Sequence, residues 1–204
     1  SMEIYKDKAL IVNTKNPNTI IASIPKSKVL KSYENGVTQV AINWGIDEVI
    51  ALSRIIKFPP SPIVKDYKWP GIYKPFNHQK ETADFLSAHK RAYCLSEAGT
   101  GKTSGVIWAA DYLMNKGKIK RMLVVCPLSI MKVAWEADLF KTAMHRTVCI
   151  AHGSAEKRKK ILAQNTDIVI INYDGIEIVQ KELKAGGFDL IVVDEANYIK
   201  TVTT

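Results

Sequence analysis

The sequence predicts an α/β protein, in which a parallel sheet is flanked by helices and is preceded by a small α+β module. The chain of 204 residues is 47% hydrophobic and 24% charged, a composition typical of a globular protein with a buried core. After residue 75, strand-like runs rich in β-branched residues alternate with helical segments, which indicates strands buried on both faces. A proline-rich stretch, FPPSPIVKDYKWPGIYKP (58–75), predicts an extended connector. We therefore expect two domains, residues 1–70 and 71–204.

The N-terminal module is predicted from short apolar runs separated by turn signals. Lys15-Asn16-Pro17-Asn18 and Asn35-Gly36 are typical of turns, because proline and glycine favour turn backbone angles. One later run has apolar residues near helical spacing. The predicted order is strand KALIVNT, strand TIIASIP, strand TQVAINW and helix IDEVIALSRII.

The second domain is predicted to alternate between helices and strands along its whole length. Ser129 and Ser154 each precede a helical run and are predicted N-caps, and Gly117 is predicted to end a helix. The predicted elements are helix FNHQKETADFLSAH, strand RAYCLS, helix TSGVIWAADYLMNKG, strand RMLVVCP, helix SIMKVAWEADLFKT, strand TVCIAHG, helix SAEKRKKILAQ, strand DIVIINY, helix GIEIVQKELKAG and strand FDLIVVDE.

A glycine-rich turn, SEAGTGKT (96–103), follows a predicted strand and opens a predicted helix, which is the context of a phosphate-binding P-loop. Gly99 and Gly101 let the backbone wrap a phosphate, so the loop N–H groups of Ala98, Gly99, Thr100 and Gly101 form an anion nest. Lys102 would contact the β- and γ-phosphates, and the Thr103 hydroxyl would ligate Mg²⁺. The alternative is a chance glycine-rich turn, because Ser96 stands where the strict motif has glycine.

An apolar strand ends in two carboxylates, Asp194 and Glu195. Open α/β sheets bind ligands at the carboxyl ends of their strands. We expect Asp194 to hold Mg²⁺ and Glu195 to orient and deprotonate an attacking water. The alternative is a solvated acidic strand end.

A candidate adenine-binding residue, Gln79, lies in PFNHQK (75–80), before the predicted strand that leads into the P-loop. Its side-chain amide has both a donor and an acceptor for the adenine edge, and Phe76 is a candidate packing partner for the base. The alternative is that Gln79 is an ordinary surface residue at a helix start.

The net charge of +9, from 29 basic and 20 acidic residues, favours a polyanionic partner. The run EKRKK (156–160) suggests a DNA-binding patch or a nuclear signal, although a solvated helix face is the favoured interpretation. The three cysteines have no metal-binding spacing, and we expect reduced thiols in a cytoplasmic protein, with a nuclear location as the alternative. No apolar run is long enough for a membrane span.

Together, these motifs resemble the first RecA-like lobe of a superfamily 2 helicase-like ATPase of the Swi/Snf type, over about residues 75–204. The resemblance rests on PFNHQ, SEAGTGKT, LVVCPLSIMKVAWEADLFK, INYDGI and VVDEANYIKT, which occur in the order of the family's motifs. The acidic box reads DEAN, with Asn197 where relatives have histidine. The resemblance implies ATP and Mg²⁺ as cofactors and double-stranded DNA as the partner.

The resemblance also implies which residues lie along the nucleic acid. In relatives, loop backbone groups and helix starts follow the phosphates of one strand. Here those positions are Pro127, Leu128 and Ser129, and then Asn172 and Tyr173, followed by Asp174-Gly175. Such contacts carry no sequence information, as expected of a protein that moves along any sequence.

The resemblance further implies a second RecA-like lobe C-terminal to Thr204, and a strand from that region between the P-loop strand and the acidic strand. Three arrangements are therefore open for this chain. The slot stays open, a second chain fills it, or the acidic strand moves inward and pairs directly with RAYCLS. The third arrangement would displace Asp194 and Glu195 from their usual place opposite Lys102.

We therefore expect an ATP-dependent DNA helicase or translocase, of which this chain is the ATP-binding part. The alternatives are a P-loop ATPase that acts on a partner other than nucleic acid, and a regulatory module that holds nucleotide without turnover.

Overall fold

The computed structural model describes residues 1–88, 92–95 and 102–194. Within these ranges, no helix is both long and apolar enough to cross a lipid bilayer. The chain divides into two compact units, one of Ser1–Tyr67 with Ser87–His89 and one of Lys68–Leu86 with Lys90–Thr204. The domain boundary at residue 70 stays a prediction.

The first unit is an α+β structure built on a four-stranded antiparallel sheet. Its elements are β1 (Met2–Tyr5), β2 (Ala9–Thr14), α1 (Pro17–Ser23), β3 (Lys28–Ser32), β4 (Thr38–Asn43), α2 (Ile46–Ser53) and α3 (Ile63–Asp66). The strand order is β1-β2-β4-β3. Alternate residues of β2 and β4 are buried and pack with residues from the helices, so one face of the sheet carries the core of the unit; this core includes Leu10, Val12, Ile20, Val40, Ile42, Val49 and Leu52.

One predicted strand of the first unit is wrong, because residues 19–23 of TIIASIP belong to helix α1 and Ile24 ends it. Pro17 occupies the first helical position, where its fixed φ angle and missing N–H are tolerated. Ile20 and Ile24 are one helical turn apart and both are buried in the core, so the run is amphipathic with helical rather than strand period. The connector also differs from the prediction, because α3 interrupts it.

The second unit contains a parallel sheet and helices, which confirms the predicted α/β fold. Its elements are α4 (Asn77–Ala88), β5 (Ala92–Leu95), α5 (Lys102–Asn115), β6 (Met122–Cys126), a 3₁₀ turn (Leu128–Ile130), a π-helical turn (Met131–Glu136), α6 (Ala137–Thr142), β7 (Val148–Ala151), α7 (Ala155–Leu162), β8 (Ile168–Asn172), α8 (Tyr173–Ile178), α9 (Gln180–Ala185) and β9 (Leu190–Asp194). Every residue of β6 and β8 is buried, as the β-branched runs predicted.

The acidic strand β9 lies inside the sheet, whose order is β5-β9-β6-β8-β7. It pairs in parallel with β5 on one side and with β6 on the other. Of the three arrangements considered, this is the direct pairing of the acidic strand with RAYCLS, the arrangement in which the resemblance implies that Asp194 is displaced from its usual place opposite Lys102. Pairing on both sides satisfies the backbone N–H and C=O groups of an apolar strand whose Leu190 and Val192 are buried.

The segment after β6 is a second correction, because the predicted helix SIMKVAWEADLFKT is broken into three conformations. A 3₁₀ turn and a π-helical turn precede α6, so Ser129 lies within the 3₁₀ turn and is not the N-cap of an α-helix. π-Helical turns occur mostly as single turns and are frequent at functional sites. By contrast, the predicted cap Ser154 is confirmed, because its side chain accepts a hydrogen bond from the Lys157 N–H at 3.2 Å.

The amino edge of the parallel sheet is closed by a polar cluster centred on Arg121. Its guanidinium donates hydrogen bonds to the carbonyls of Gly186 and Thr166 at 2.6 and 2.8 Å and lies over the Phe188 ring. The Asp189 carboxylate accepts from the backbone N–H of Arg121 at 3.0 Å. These contacts join the starts of β6 and β9, so they hold the acidic strand in register at the edge opposite to its carboxyl end.

Candidate nucleotide and nucleic-acid sites

The carboxyl edge of the parallel sheet is formed by strand ends that carry or precede predicted site residues. Strands β5, β6, β8 and β9 end there at Leu95, Cys126, Asn172 and Asp194. Leu95 and Asp194 are paired residues of neighbouring strands, so the acidic strand end lies beside the residue that precedes the glycine turn. This is the edge at which open α/β sheets bind ligands.

Several predicted site residues lie outside the described residues. They are Ala98, Gly99, Thr100 and Gly101 of the glycine turn, and the candidate base Glu195. Lys102 is the first residue of α5. The roles of these residues stay predictions.

Gln79 lies in the first turn of α4 and is buried. Its Oε1 atom accepts a hydrogen bond from the Phe76 backbone N–H at 2.8 Å. A glutamine that reaches back three residues in this way caps a helix N-terminus. The side-chain acceptor of Gln79 is therefore engaged in the cap, and its amide NH₂ is the group that remains to read an acceptor on adenine.

Phe76, the predicted packing partner for adenine, is 68% exposed. Its ring lies parallel to that of His78, with 5.8 Å between the ring centroids. An exposed aromatic face at the start of α4 suits stacking against a planar base.

Close packing of α5 on α4 brings the helix that follows the glycine turn against the first turns of the helix that carries Gln79. Gly105 is the point of closest approach. A Cβ atom at this position would lie 2.9 Å from both the Gln79 carbonyl oxygen and the Thr82 Cβ. Only glycine permits this separation without a shift of the backbone.

Thr103, the first predicted Mg²⁺ ligand, donates its hydroxyl hydrogen to Oδ2 of Asp138 in α6. The hydroxyl oxygen keeps its lone pairs when it donates in this way. Asp138 therefore fixes the direction in which the Thr103 oxygen points, and it adds a second carboxylate to the neighbourhood of the glycine turn.

Asp194, the second predicted Mg²⁺ ligand, is buried at the end of β9. Its Oδ2 atom accepts a hydrogen bond from the indole Nε1 of Trp135 at 2.8 Å. Its backbone carbonyl accepts one from the Tyr173 hydroxyl. Burial, and after it the negative charge of Asp194, raise the pKa of the neighbouring Cys126 thiol to about 12. Cys126 is therefore a neutral packing residue and not a nucleophile.

The donor set fits Mg²⁺ in its chemistry. The ion prefers hard oxygen ligands and is often held by one or two carboxylates together with the phosphates of the substrate. Thr103 and Asp194 supply a hydroxyl and a carboxylate, and their partners Asp138 and Trp135 lie three residues apart on one segment. Over the described ranges, no cluster of three or more His, Cys, Asp or Glu residues could hold a metal by itself.

The predicted nucleic-acid residues differ in how far they reach solvent. Leu128 and Ser129 are exposed, and Pro127 is half-buried. Asn172 is buried, and its Oδ1 atom accepts a hydrogen bond from Nη1 of Arg158 at 3.1 Å. The Asn172 side chain is thus engaged within the protein, while Tyr173 begins α8 and bonds to the end of β9.

Sequence reasoning missed three residues that hold these sites together: Trp135, Asp138 and Arg158. The indole of Trp135 could not be distinguished from ordinary packing, because its partner Asp194 is 59 residues away. Arg158 was missed because it lies in the charged run EKRKK, which predicts an exposed helix face. Its four neighbours in the run are exposed, and Arg158 alone is buried.

Comparison with known proteins relates the chain to one family and to solved ATPase cores. The sequence profile of the family described as SNF2-related domain matches residues 78–204. The ISWI chromatin-remodeling complex ATPase ISW2 of Saccharomyces cerevisiae is 26% identical over 160 residues. That alignment covers 75% of this chain but 14% of the relative, so the chain spans about one seventh of that protein.

Two solved structures from Sulfolobus solfataricus are also similar. The SWI2/SNF2 ATPase core domain has a TM-score of 0.51 and 24% identity, and the match covers 65% of this chain and 28% of that one. The SWI2/SNF2 ATPase core in complex with dsDNA has a TM-score of 0.48 and 20% identity, over 62% of this chain and 33% of that one. The former likeness supports the fold alone.

Proposed function

The chain belongs to the SNF2-related domain family, and on this premise we propose that it binds ATP and Mg²⁺ as the first lobe of a motor that moves along double-stranded DNA. The observation that carries the proposal is that both predicted Mg²⁺ ligands are hydrogen-bonded to side chains of one segment. Asp194 is held by Trp135, and Thr103 is held by Asp138. A hydroxyl from the start of the P-loop helix and a carboxylate from a strand end are the pair that a P-loop ATPase uses.

The proposed roles of Lys102 and Glu195 rest on their motifs, and those of Thr103 and Asp194 rest on their motifs and on their hydrogen bonds. Lys102 contacts the β- and γ-phosphates, Thr103 and Asp194 hold Mg²⁺, and Glu195 accepts a proton from the attacking water. When bound, Mg²⁺ neutralises charge that develops on the transferred phosphoryl group. Asp138 and Trp135 keep the hydroxyl and the carboxylate pointed in fixed directions, and Gln79 donates to an acceptor on the adenine ring.

The proposed DNA-binding surface consists of Pro127, Leu128, Ser129, Asn172 and Tyr173, which follow β6 and β8 at the carboxyl edge of the sheet. The segment that begins at Leu128 continues into Trp135 and Asp138. A shift at the DNA-facing end of this segment therefore changes the positions of the groups that hold Thr103 and Asp194. This connection provides a physical route by which DNA could stimulate hydrolysis.

The finer parts of the proposal concern the whole protein. Hydrolysis in this superfamily takes place between two lobes, so we propose that a second RecA-like lobe completes the site. An arginine finger from such a lobe contributes roughly 10³–10⁵ in rate in related phosphoryl transfers. We expect the 204-residue chain by itself to hydrolyse ATP very weakly and not to unwind DNA. We further propose a cytoplasmic location, with the nucleus as the alternative.

The nucleotide site is tested by binding of a fluorescent ADP analogue to the chain in the presence of Mg²⁺. Lys102→Ala removes the phosphate contact and is expected to abolish tight binding. Lys120→Ala, which removes an exposed lysine at the amino edge of the sheet, is the matched control and should bind normally. If Lys102→Ala binds the analogue as tightly as the unaltered chain, the P-loop assignment is wrong.

Binding of a fluorescein-labelled DNA duplex tests the proposed partner. Affinity should fall steeply with salt, and more steeply than affinity for a phosphate-free polyanion, because phosphate contacts release condensed counterions. Equal salt dependence for both ligands would favour the alternative, an ATPase that acts on a partner other than nucleic acid.

The regulatory-module alternative is tested in the full-length protein by single-turnover hydrolysis. Turnover that is lost in Glu195→Gln supports an enzyme. Nucleotide that is bound and never hydrolysed by the unaltered full-length protein, with DNA present, supports a binding module.

A further inference from the structure

Arg158 is a buried cation in a helix that otherwise presents its charges to solvent. It lies in the run EKRKK of α7, and its side chain is only 5% exposed. Lys157, Lys159 and Lys160 in the same run are exposed. The favoured interpretation of this run as a solvated face is therefore correct for the lysines and wrong for Arg158.

The guanidinium of Arg158 is held by two neutral acceptors. Its Nε donates to the Gly153 carbonyl at 2.8 Å, and its Nη1 donates to Asn172 Oδ1 at 3.1 Å. Among the described residues, no Asp or Glu carboxylate forms a salt bridge with Arg158. The positive charge is thus oriented by the fold without being neutralised by a carboxylate from the described part of the chain.

Gly175 provides the space that the guanidinium occupies. A Cβ atom at this position would lie 1.5 Å from Nη1 of Arg158, so a larger residue here would require the guanidinium to move. The close approach places the cation against the first turn of α8, next to Asn172 and Tyr173. Glycine in INYDGI therefore leaves room for a contact with α7, and the contact places a charged group beside Asn172 of the proposed DNA-binding surface.

Burial makes this arrangement costly unless a counter-charge arrives. A buried cation without an opposite charge is destabilising, since hydrogen bonds to neutral acceptors compensate only part of the lost hydration. A guanidinium has five N–H donors in a planar fork, and Arg158 uses two atoms of that fork within the protein. The remaining donors suit the oxygen atoms of a phosphate, which guanidinium groups bind with two parallel hydrogen bonds.

We propose that Arg158 binds a backbone phosphate of the DNA duplex, with Asn172 and Gly175 holding its guanidinium in place. The proposal deepens the function proposed above and rests on it, because the phosphate belongs to DNA bound along Asn172 and Tyr173. Asn172 thereby acts through Arg158, and its own side chain need not touch the nucleic acid. The competing explanation is that Arg158 only fastens α7 to the end of β8.

The salt dependence of duplex binding separates the two explanations. Each neutralised phosphate contributes about −0.9 to the slope of log affinity against log salt concentration. Arg158→Gln should therefore bind more weakly and with a slope shallower by about 0.9, which means that the unaltered chain loses about 3- to 4-fold more affinity between 50 and 200 mM salt. Arg158→Lys retains the charge and should keep the slope. Lys120→Gln, at the amino edge of the sheet, is the charge-matched control and should keep both slope and affinity.

A folded Arg158→Gln variant with the slope of the unaltered chain would overturn the proposal, whatever its affinity, because a residue that only fastens α7 leaves the number of phosphate contacts unchanged. Circular dichroism and binding of the ADP analogue establish that each variant is folded.

A second measurement on the unaltered chain covers the case in which Arg158→Gln does not fold. The chain has five arginines, so the side-chain Nε–H signals in a nitrogen–proton NMR spectrum are few enough to assign by single substitutions. The Arg158 signal should shift as the duplex is added and return as salt is raised, while that of Arg121 stays in place. An Arg158 signal that does not move at saturating duplex would overturn the proposal.

These outcomes are distinguishable from failure of the proposed function. A chain that binds no duplex at low salt contradicts both the DNA-motor proposal and the phosphate contact. A chain that binds duplex with salt dependence, while the slope in Arg158→Gln and the Arg158 signal stay unchanged, contradicts the phosphate contact alone.

Discussion

The indole Nε1 of Trp135 lies 2.8 Å from Oδ2 of Asp194, so a tryptophan in a π-helical turn holds the carboxylate at the end of the acidic strand. Three residues further along, Asp138 accepts the hydroxyl hydrogen of Thr103. One segment therefore contacts both groups that are predicted to bind Mg²⁺. The indole of Trp135 therefore supplies a hydrogen-bond donor to the acidic strand end as well as packing.

Trp135→Phe should destabilise the protein more than Trp108→Phe does. Both indoles are buried in the second unit, and both donate at 2.8 Å, but Trp135 donates to a carboxylate and Trp108 to the Pro70 carbonyl. A hydrogen bond to a charged partner contributes about 1.5–3 kcal/mol, against about 1 kcal/mol for a neutral one. Urea unfolding measures the difference in the free energy of unfolding. Equal losses would mean that the carboxylate gains nothing from the indole.

Asp138→Asn should weaken the part of nucleotide affinity that depends on Mg²⁺. The carboxylate of Asp138 orients the Thr103 hydroxyl, and loss of such an outer partner typically costs 10–100-fold in metal affinity. Binding of the fluorescent ADP analogue is measured with Mg²⁺ and with a chelator. Glu136→Gln is the control, since it removes an exposed carboxylate from the same segment. If Asp138→Asn lowered the affinity by the same factor in the presence of the chelator, Asp138 would act on the nucleotide itself and not through Mg²⁺.

The sequence was sufficient to predict the strands of the second unit but not their order or the break in the helix after β6. Runs such as MLVVC and IVIIN have few polar atoms, so they belong in a sheet covered on both faces, and β6 and β8 are fully buried. The position of β9 depends on pairing between residues about 100 positions apart, such as Leu95 with Asp194. No local sequence signal shows whether β9 pairs directly with β5 or is separated from it by another strand.

The other errors have a similar origin. TIIASIP has both β-branched residues and an i, i+4 pair of isoleucines, and tertiary packing of Ile20 and Ile24 decides for the helix. In EKRKK, Arg158 is buried and the other four residues are exposed. The composition of the run does not identify the buried residue, whereas the structure shows Arg158 in the space left by Gly175. The candidate Mg²⁺ ligands were chosen from motifs; the partners that orient Thr103 and Asp194 come from a distant segment.

The Cys126 thiol should resist alkylation in the folded protein over the range in which free thiols react. Burial and the charge of Asp194 raise its pKa from 9.0 to about 12, so the neutral thiol is the favoured form below that pH. Iodoacetamide labelling followed by peptide mass spectrometry should modify Cys126 in urea and leave it unmodified in buffer at pH 8–9.

The same shift predicts how stability depends on pH. The folded state holds the Cys126 proton more tightly than the unfolded state, so its contribution to stability is complete below pH 9 and declines as pH rises towards about 12. Cys126→Ala should show a smaller decline across that window in urea unfolding. An identical decline in both proteins would mean that the thiol is not the titrating group.

Gly105→Ala should destabilise the protein, although the same change in an ordinary helix interior stabilises it by about 1 kcal/mol. The added Cβ would lie 2.9 Å from the Gln79 carbonyl oxygen, which belongs to the backbone of α4 and is therefore unable to rotate away. Overpacking of this kind costs about 1–3 kcal/mol. Because α4 must shift, the position of Gln79 changes as well, so the affinity for the ADP analogue should fall together with the free energy of unfolding. Ser104→Ala, at the neighbouring position of the same helix, adds no volume and is the control. A Gly105→Ala variant that is more stable than the unaltered chain would show that α4 and α5 are farther apart in solution and that glycine at this position does not set their separation.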